Sequence, residues 1–130
     1  VKSLSEVHLN YLSLIFLCKQ TKMNGINSIE SLKEHCEYIC AKMPVTNGIE
    51  SSIPFLHMLR LLTISLGSAA EVYSKQYNLD IDKVKEILPL AMNSIPGDYS
   101  LTPVGIIIAI INIRNKTNLN LDFKIWIKSI

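Results

Sequence analysis

The run His35-Cys36-Glu37-Tyr38-Ile39-Cys40 is the stretch of this sequence that most invites a chemical reading. Cys36 and Cys40 stand four residues apart, one helical turn, as two metal ligands on one face would. Cys18 and His57 are the residues that would complete a set of four. The spacing is not that of a Cys-x2-Cys zinc knuckle, however, and both cysteines fall on an apolar stripe with Ile29 and Leu32. Reduced cysteine is among the most buried residue types, so the pair reads as packing, with no metal and no cofactor.

Nucleophilic catalysis is the other chemistry these residues allow. Cys36 with His57 or His8 as base, oriented by Glu37 or Asn10, would compose a small enzyme with a Cys/His site. No Gly-rich phosphate loop, His-Glu-x-x-His or Gly-x-Ser-x-Gly motif accompanies them. The paired carboxylates Asp80 and Asp82 sit where a helix begins, and there negative charge meets the positive end of the helix dipole. The chain therefore reads first as non-enzymatic.

Residues 68–95 admit a nucleic-acid reading, as a helix, a turn at Tyr77-Asn78-Leu79 and a second helix bearing Lys83 and Lys85. Asp80, Asp82 and Glu86 surround those lysines and oppose phosphate binding. The net charge of +2 and pI near 8.5 also fall short of a basic footprint. A DNA-binding or transcription-regulator domain is accordingly the second reading.

The elements that would carry these residues are helical. Leu4, Val7, Tyr11, Leu14, Ile15 and Cys18 recur at helical spacing over 4–22, with Ser3 or Ser5 as cap and Asn24-Gly25 as stop. A second helix starts at Asn27, with Glu30 reaching back. It carries Ile29, Leu32, Cys36, Ile39, Cys40 and Met43 opposite Glu30, Lys33, Glu34, Glu37 and Lys42. A third helix is expected from Ser51 or Ser52 through Leu66, buried on several sides, before a short turn of helix over Glu71–Tyr77. Asp80 opens a fourth helix lined by Ile81, Val84, Ile87, Leu88, Ala91 and Ile95, with a Pro89 kink, and Pro96-Gly97-Asp98 makes a turn.

Thr102-Pro103 resembles a cap and first position of a helix over 103–114. The β-branched run that follows, and the strict alternation of Leu119, Leu121, Phe123, Ile125 and Ile127, leave a β-hairpin over residues 104–127 as the alternative. The fold class is thus mainly α, a compact bundle of four to five helices forming one domain over residues 1–130.

Composition sets the function class. Apolar residues make up 48% of the chain and charged residues only 18%, so the polar shell is thin and part of the surplus is expected to be covered by a partner. Charge is also segregated. Residues 28–50 carry Glu30, Glu34, Glu37 and Glu50 against two lysines, whereas residues 100–130 carry Arg114, Lys116, Lys124 and Lys128 against Asp122. The leading reading is a protein-binding module of the inhibitor, immunity, anti-factor or chaperone kind, with another protein or itself as partner. Its surface would be C-terminal and both apolar and basic: Arg114, Lys116, Phe123, Lys124, Ile125, Trp126 and Lys128.

Three cysteines at no disulfide spacing favour the cytoplasm. No membrane span is expected. His57, Arg60 and Glu71 interrupt Ile53–Val72, and a charge such as Arg60 costs roughly 2.5–3.5 kcal/mol at a bilayer centre. The most direct test of this patterning is Leu32→Ala, which should cost about 2–5 kcal/mol if the second helix turns its stripe into the core. Denaturant unfolding measures it, and a loss under about 1 kcal/mol would mark the helix as peripheral.

Overall fold

The computed structural model describes residues 4–23, 25–46, 48–92 and 95–117. Among them the order of elements is α1 (Glu6–Lys19), α2 (Ile29–Lys42), a 3-10 turn (Ile49–Ser52), α3 (Ile53–Met58), β1 (Leu62–Ile64), α4 (Ala69–Tyr77), α5 (Ile81–Ala91), β2 (Tyr99–Leu101) and α6 (Pro103–Lys116). The protein is mainly helical, with a bundle-like arrangement of its helices and one small antiparallel sheet. None of the described helices is long and apolar enough to cross a membrane.

Local chemistry sets most of the boundaries. Ser5 caps α1 by accepting the His8 N–H, and His8 Nδ1 accepts the Ser5 N–H in return at 3.1 Å. Ser28 caps α2 in reciprocal fashion with Ser31, so the Asn27 and Glu30 pair expected for this end is displaced by one residue. A hydroxyl at the third position reaches the cap backbone as a Glu would. Asn78 takes up the left-handed conformation that ends α4, and Asp80 caps α5 two residues later.

Two expectations are corrected. The helix foreseen from Ser51 or Ser52 through Leu66 stops at Met58. Arg60 turns the chain into the left-handed region at φ 59°, which no continuing helix tolerates, and Leu62–Ile64 then runs as a strand. The hairpin alternative for 104–127 is excluded over 104–116, which lie in α6. Thr102 caps that helix by accepting the Gly105 N–H at 3.2 Å, and Pro103 at its first position needs no donor. Residues 118–127 lie outside the described residues.

α1 forms the axis of the fold. Every residue from Asn10 to Cys18 is buried, so this helix has no outer face, contrary to the one-sided stripe its spacing suggested. One core unites Leu12, Phe16, Leu56, Leu101, Ile106 and Ile113. A second, at the C-terminal end of α1, gathers Cys18, Leu32, Cys36, Tyr73, Val84 and Leu88 from α1, α2, α4 and α5. The α2 stripe is mostly as read: Leu32, Cys36, Ile39 and Met43 are buried and Glu30, Glu34 and Glu37 are exposed, while Ile29 and Cys40 in the stripe and Lys33, expected on the outer face, are half-buried.

The sheet pairs Leu62 with Leu101, Thr63 with Ser100 and Ile64 with Tyr99. Gln20 joins it to α1, its side-chain amide accepting the Leu101 N–H at 2.6 Å and donating to the Leu101 carbonyl at 3.3 Å. α6 then comes down on the end of β1 with no room to spare. A Cβ at Gly105 would lie 2.4 Å from the Leu61 carbonyl oxygen and 3.2 Å from the Leu101 Cβ. Gly105→Ala should therefore destabilise the protein by about 1–3 kcal/mol even though alanine is the better helix former. Chemical denaturation checks this, and a stabilised variant would show that α6 does not approach Leu61 this closely.

Candidate interaction surface

α6 is the element that carries the described part of the surface expected from sequence. Gly105, Ile106, Ala109, Asn112 and Ile113 face inward. The remaining positions would be polar on an ordinary surface helix. Here Val104, Ile107 and Ile111, spaced by three and four residues, are 57%, 54% and 55% exposed. Arg114 is exposed one turn further on. Beside the stripe, Leu4, Leu9, Ile108, Ile111, Asn112 and Asn115 enclose a groove of about 320 Å³ between α6 and the start of α1.

The inner face of α6 is fixed by a polar contact inside the core. Asn112 Nδ2 donates to Asn10 Oδ1 at 3.1 Å and to Ser13 Oγ at 2.9 Å, while Asn10 Nδ2 donates to the Pro44 carbonyl at 2.9 Å. Lys116 extends this chain, donating to Asn10 Oδ1 at 3.2 Å and pairing with the Glu6 carboxylate. The hydrogen bond and charge of Lys116 hold Glu6 below the usual carboxylate range. Of the residues proposed from sequence, then, the structure puts Arg114 on the outside and commits Lys116 to α1. Phe123, Lys124, Ile125, Trp126 and Lys128 lie outside the described residues.

The Cys/His constellations are not assembled. Cys18 and Cys36 are buried side by side against the Tyr73 hydroxyl, and burial pushes both thiols up to about 12, so neither offers a thiolate at neutral pH. His57 stands on α3 with its ring edge-on to Tyr99 at 5.3 Å. His8 Nε2 is 3.1 Å from Ser52 Oγ, which ties α1 to the 3-10 turn. Among the described residues no group of three or more His, Cys, Asp or Glu side chains is placed to hold a metal ion. On α5, Lys83 and Lys85 alternate with exposed Asp82 and Glu86. That helix packs on α2 and α4, whereas α6 packs on α1 and β2.

Relatives add the last constraint. A protein-family model whose description is “:-like” matches residues 1–95 and 81–127. The chain belongs to that family. Its description names no activity, ligand or partner, and no curated protein and no solved structure matches the chain. The α6 stripe had a signal in the sequence: once 103–116 is helical, Val104, Ile107 and Ile111 fall opposite Ala109 and Ile113. The β-branched run obscured it, because its period fits strand and helix alike.

His35 on α2 makes this half of the molecule sensitive to acid. Its Nε2 is buried without a partner among the described residues, and burial lowers its pKa from 6.5 to about 4. The unfolded chain takes up this proton near pH 6.5 and the folded chain only near 4. The stabilisation is therefore complete above 6.5 and is lost as the pH falls toward 4, by roughly 3 kcal/mol at most. Thermal unfolding from pH 7 to 4 should steepen accordingly, and His35→Leu should flatten that part of the curve. An unchanged pH profile in the variant would assign the acid sensitivity elsewhere.

Proposed function

We propose that this protein is a non-enzymatic binding module that holds another protein against the outer face of α6. The observation that carries the reading is the row Val104, Ile107 and Ile111, more than half exposed along one helix face and bordered by the 320 Å³ groove. A row of large apolar side chains beside a concavity is what a partner helix or loop with an apolar anchor needs. Covering the exposed half of each residue contributes about 1 kcal/mol. Arg114 at the end of the row supplies a positive edge, as interface rims do. The sequence beyond Lys116 continues this character with Phe123, Lys124, Ile125, Trp126 and Lys128.

The protonated thiols of Cys18 and Cys36, enclosed in the second core, offer no nucleophile, which favours binding over the Cys/His chemistry. Three cysteines without disulfides support a cytoplasmic setting.

The double variant Ile107→Ser/Ile111→Ser tests the proposal. Both residues face outward, so the melting temperature should move by only a few degrees. Association, measured by light scattering across a concentration series and by titration of any protein cross-linked to α6 in the native host, should weaken about tenfold or more. A variant that melts far lower while associating as before would make this face part of the core and remove the basis for the reading.

A further inference from the structure

The two edges of the small sheet are finished differently. On the outer side of β2 the Gln20 side-chain amide bonds both the N–H and the carbonyl of Leu101, as a neighbouring strand would. β1 has no counterpart, and among the described residues β2 is its one strand neighbour. The bonds from the Ser65 N–H to the Asp98 carbonyl and from the Thr102 N–H to the Leu61 carbonyl fix which positions face β2. With Leu62 opposite Leu101, the backbone groups of Leu61, Thr63 and Ser65 point into the sheet and those of Leu62 and Ile64 point away from it. No described residue bonds these outward N–H and carbonyl groups. The side chains of Ile64 and of Leu66, the next residue in the alternation, are 72% and 89% exposed. Natural proteins protect such edges with Lys or Pro, and Leu62-Thr63-Ile64-Ser65-Leu66 contains neither.

The chemistry of this segment is the same read in either direction. Antiparallel pairing about a two-fold axis at Ile64 sets Ile64 against Ile64 of a second copy, Leu62 against its Leu66, and Thr63 against its Ser65. Apolar side chains then meet apolar side chains, and hydroxyl meets hydroxyl, a combination that stabilises paired strands. The outward groups of Leu62 and Ile64 fall in the positions that exchange hydrogen bonds. Charge agrees as well. The exposed Arg60 before β1 is carried toward the exposed Glu71 in the first turn of α4 of the second copy, and the axis repeats the contact. The product is a four-stranded sheet in the order β2-β1-β1-β2. Both of its outer edges are β2 edges occupied by Gln20, so the assembly closes at two copies.

We propose that β1 pairs with β1 of a second copy of this chain, antiparallel about a two-fold axis at Ile64, and that the edge of the sheet is a homodimer interface. The inference does not depend on the role given to the outer face of α6. Its register is tested with Thr63→Cys and Ser65→Cys chains, each made in a Cys40→Ser background so that the native thiols left are the two enclosed ones. Positions 63 and 65 face each other across the axis as a pair without hydrogen bonds, Cα atoms about 4.5 Å apart and within disulfide reach. Under mild oxidation an equal mixture of the two chains should form a covalent dimer about fivefold or more faster than either chain alone.

Ile64→Lys sets two ammonium groups against each other at the axis and should weaken dimerisation about tenfold or more in sedimentation equilibrium. Ile64→Glu should do the same, and mixing the two variants should restore the dimer. Position 64 is largely exposed, so an unchanged melting temperature of the dilute chains separates lost pairing from lost folding. The cross-link should persist in the Ile107→Ser/Ile111→Ser chain, which keeps this result apart from that of the α6 face. A cross-link lost in that chain would assign the contact to α6 and overturn the proposal. So would a monomer at every concentration, or either cysteine chain oxidising alone as fast as the mixture. Hydrogen exchange at the Ile64 amide should slow as the protein concentration rises. Slow exchange that is independent of concentration would give the edge to another segment of the same chain and likewise overturn the proposal.

Discussion

Keeping the whole circumference of α1 out of water is the constraint from which the remaining structure follows. A helix buried on every side must be met by neighbours on every side, and elements from all along the chain do so: α6, α4, β2 and the 3-10 turn. Its polar groups must also be satisfied without water. Asn10 reaches the Pro44 carbonyl and Asn112, Ser13 donates to the Leu9 carbonyl, and Thr21 beyond the helix end donates to that of Leu17. These bonds fix α6 in direction as well as distance. Asn112 and Lys116, near its C-terminal end, meet Asn10 and Glu6 near the start of α1, so the two helices run antiparallel.

Where the sequence was legible, a local signal agreed with the tertiary environment. α2 has one wet and one dry face, and its stripe of Leu32, Cys36, Ile39 and Met43 could be read directly. Asn78 and Asp80 announced the junction of α4 and α5 because each has its own backbone preference. α1 misled for the converse reason. Asn10 and Ser13 are polar, which made the helix look two-faced, but both are buried against partners that come from distant parts of the chain. The three-residue strands were invisible, since Leu62–Ile64 and Tyr99–Leu101 are too short to show a period and exist through each other. The break at Arg60 carried no warning, because left-handed arginine is held by its surroundings rather than by propensity.

The same division applies to the sites. Arg114 and the outer residues of α6 belong to one short segment, so sequence reasoning reached that region, although it took the face from alternation beyond Lys116 rather than from the helix itself. Lys116 was read as a surface cation; only the antiparallel packing of α1 and α6 reveals Glu6 as its partner.

The pairing of Cys18 with Cys36 in the second core has a consequence for how the molecule breathes. Both thiols are fully enclosed, whereas Cys40, one turn along α2, is only half-buried. An alkylating reagent reaches the enclosed pair only when α4 and α5 part from α1 and α2, so their labelling rate measures the free energy of that local opening. The chain thus contains its own reporter of how independently its two cores come apart.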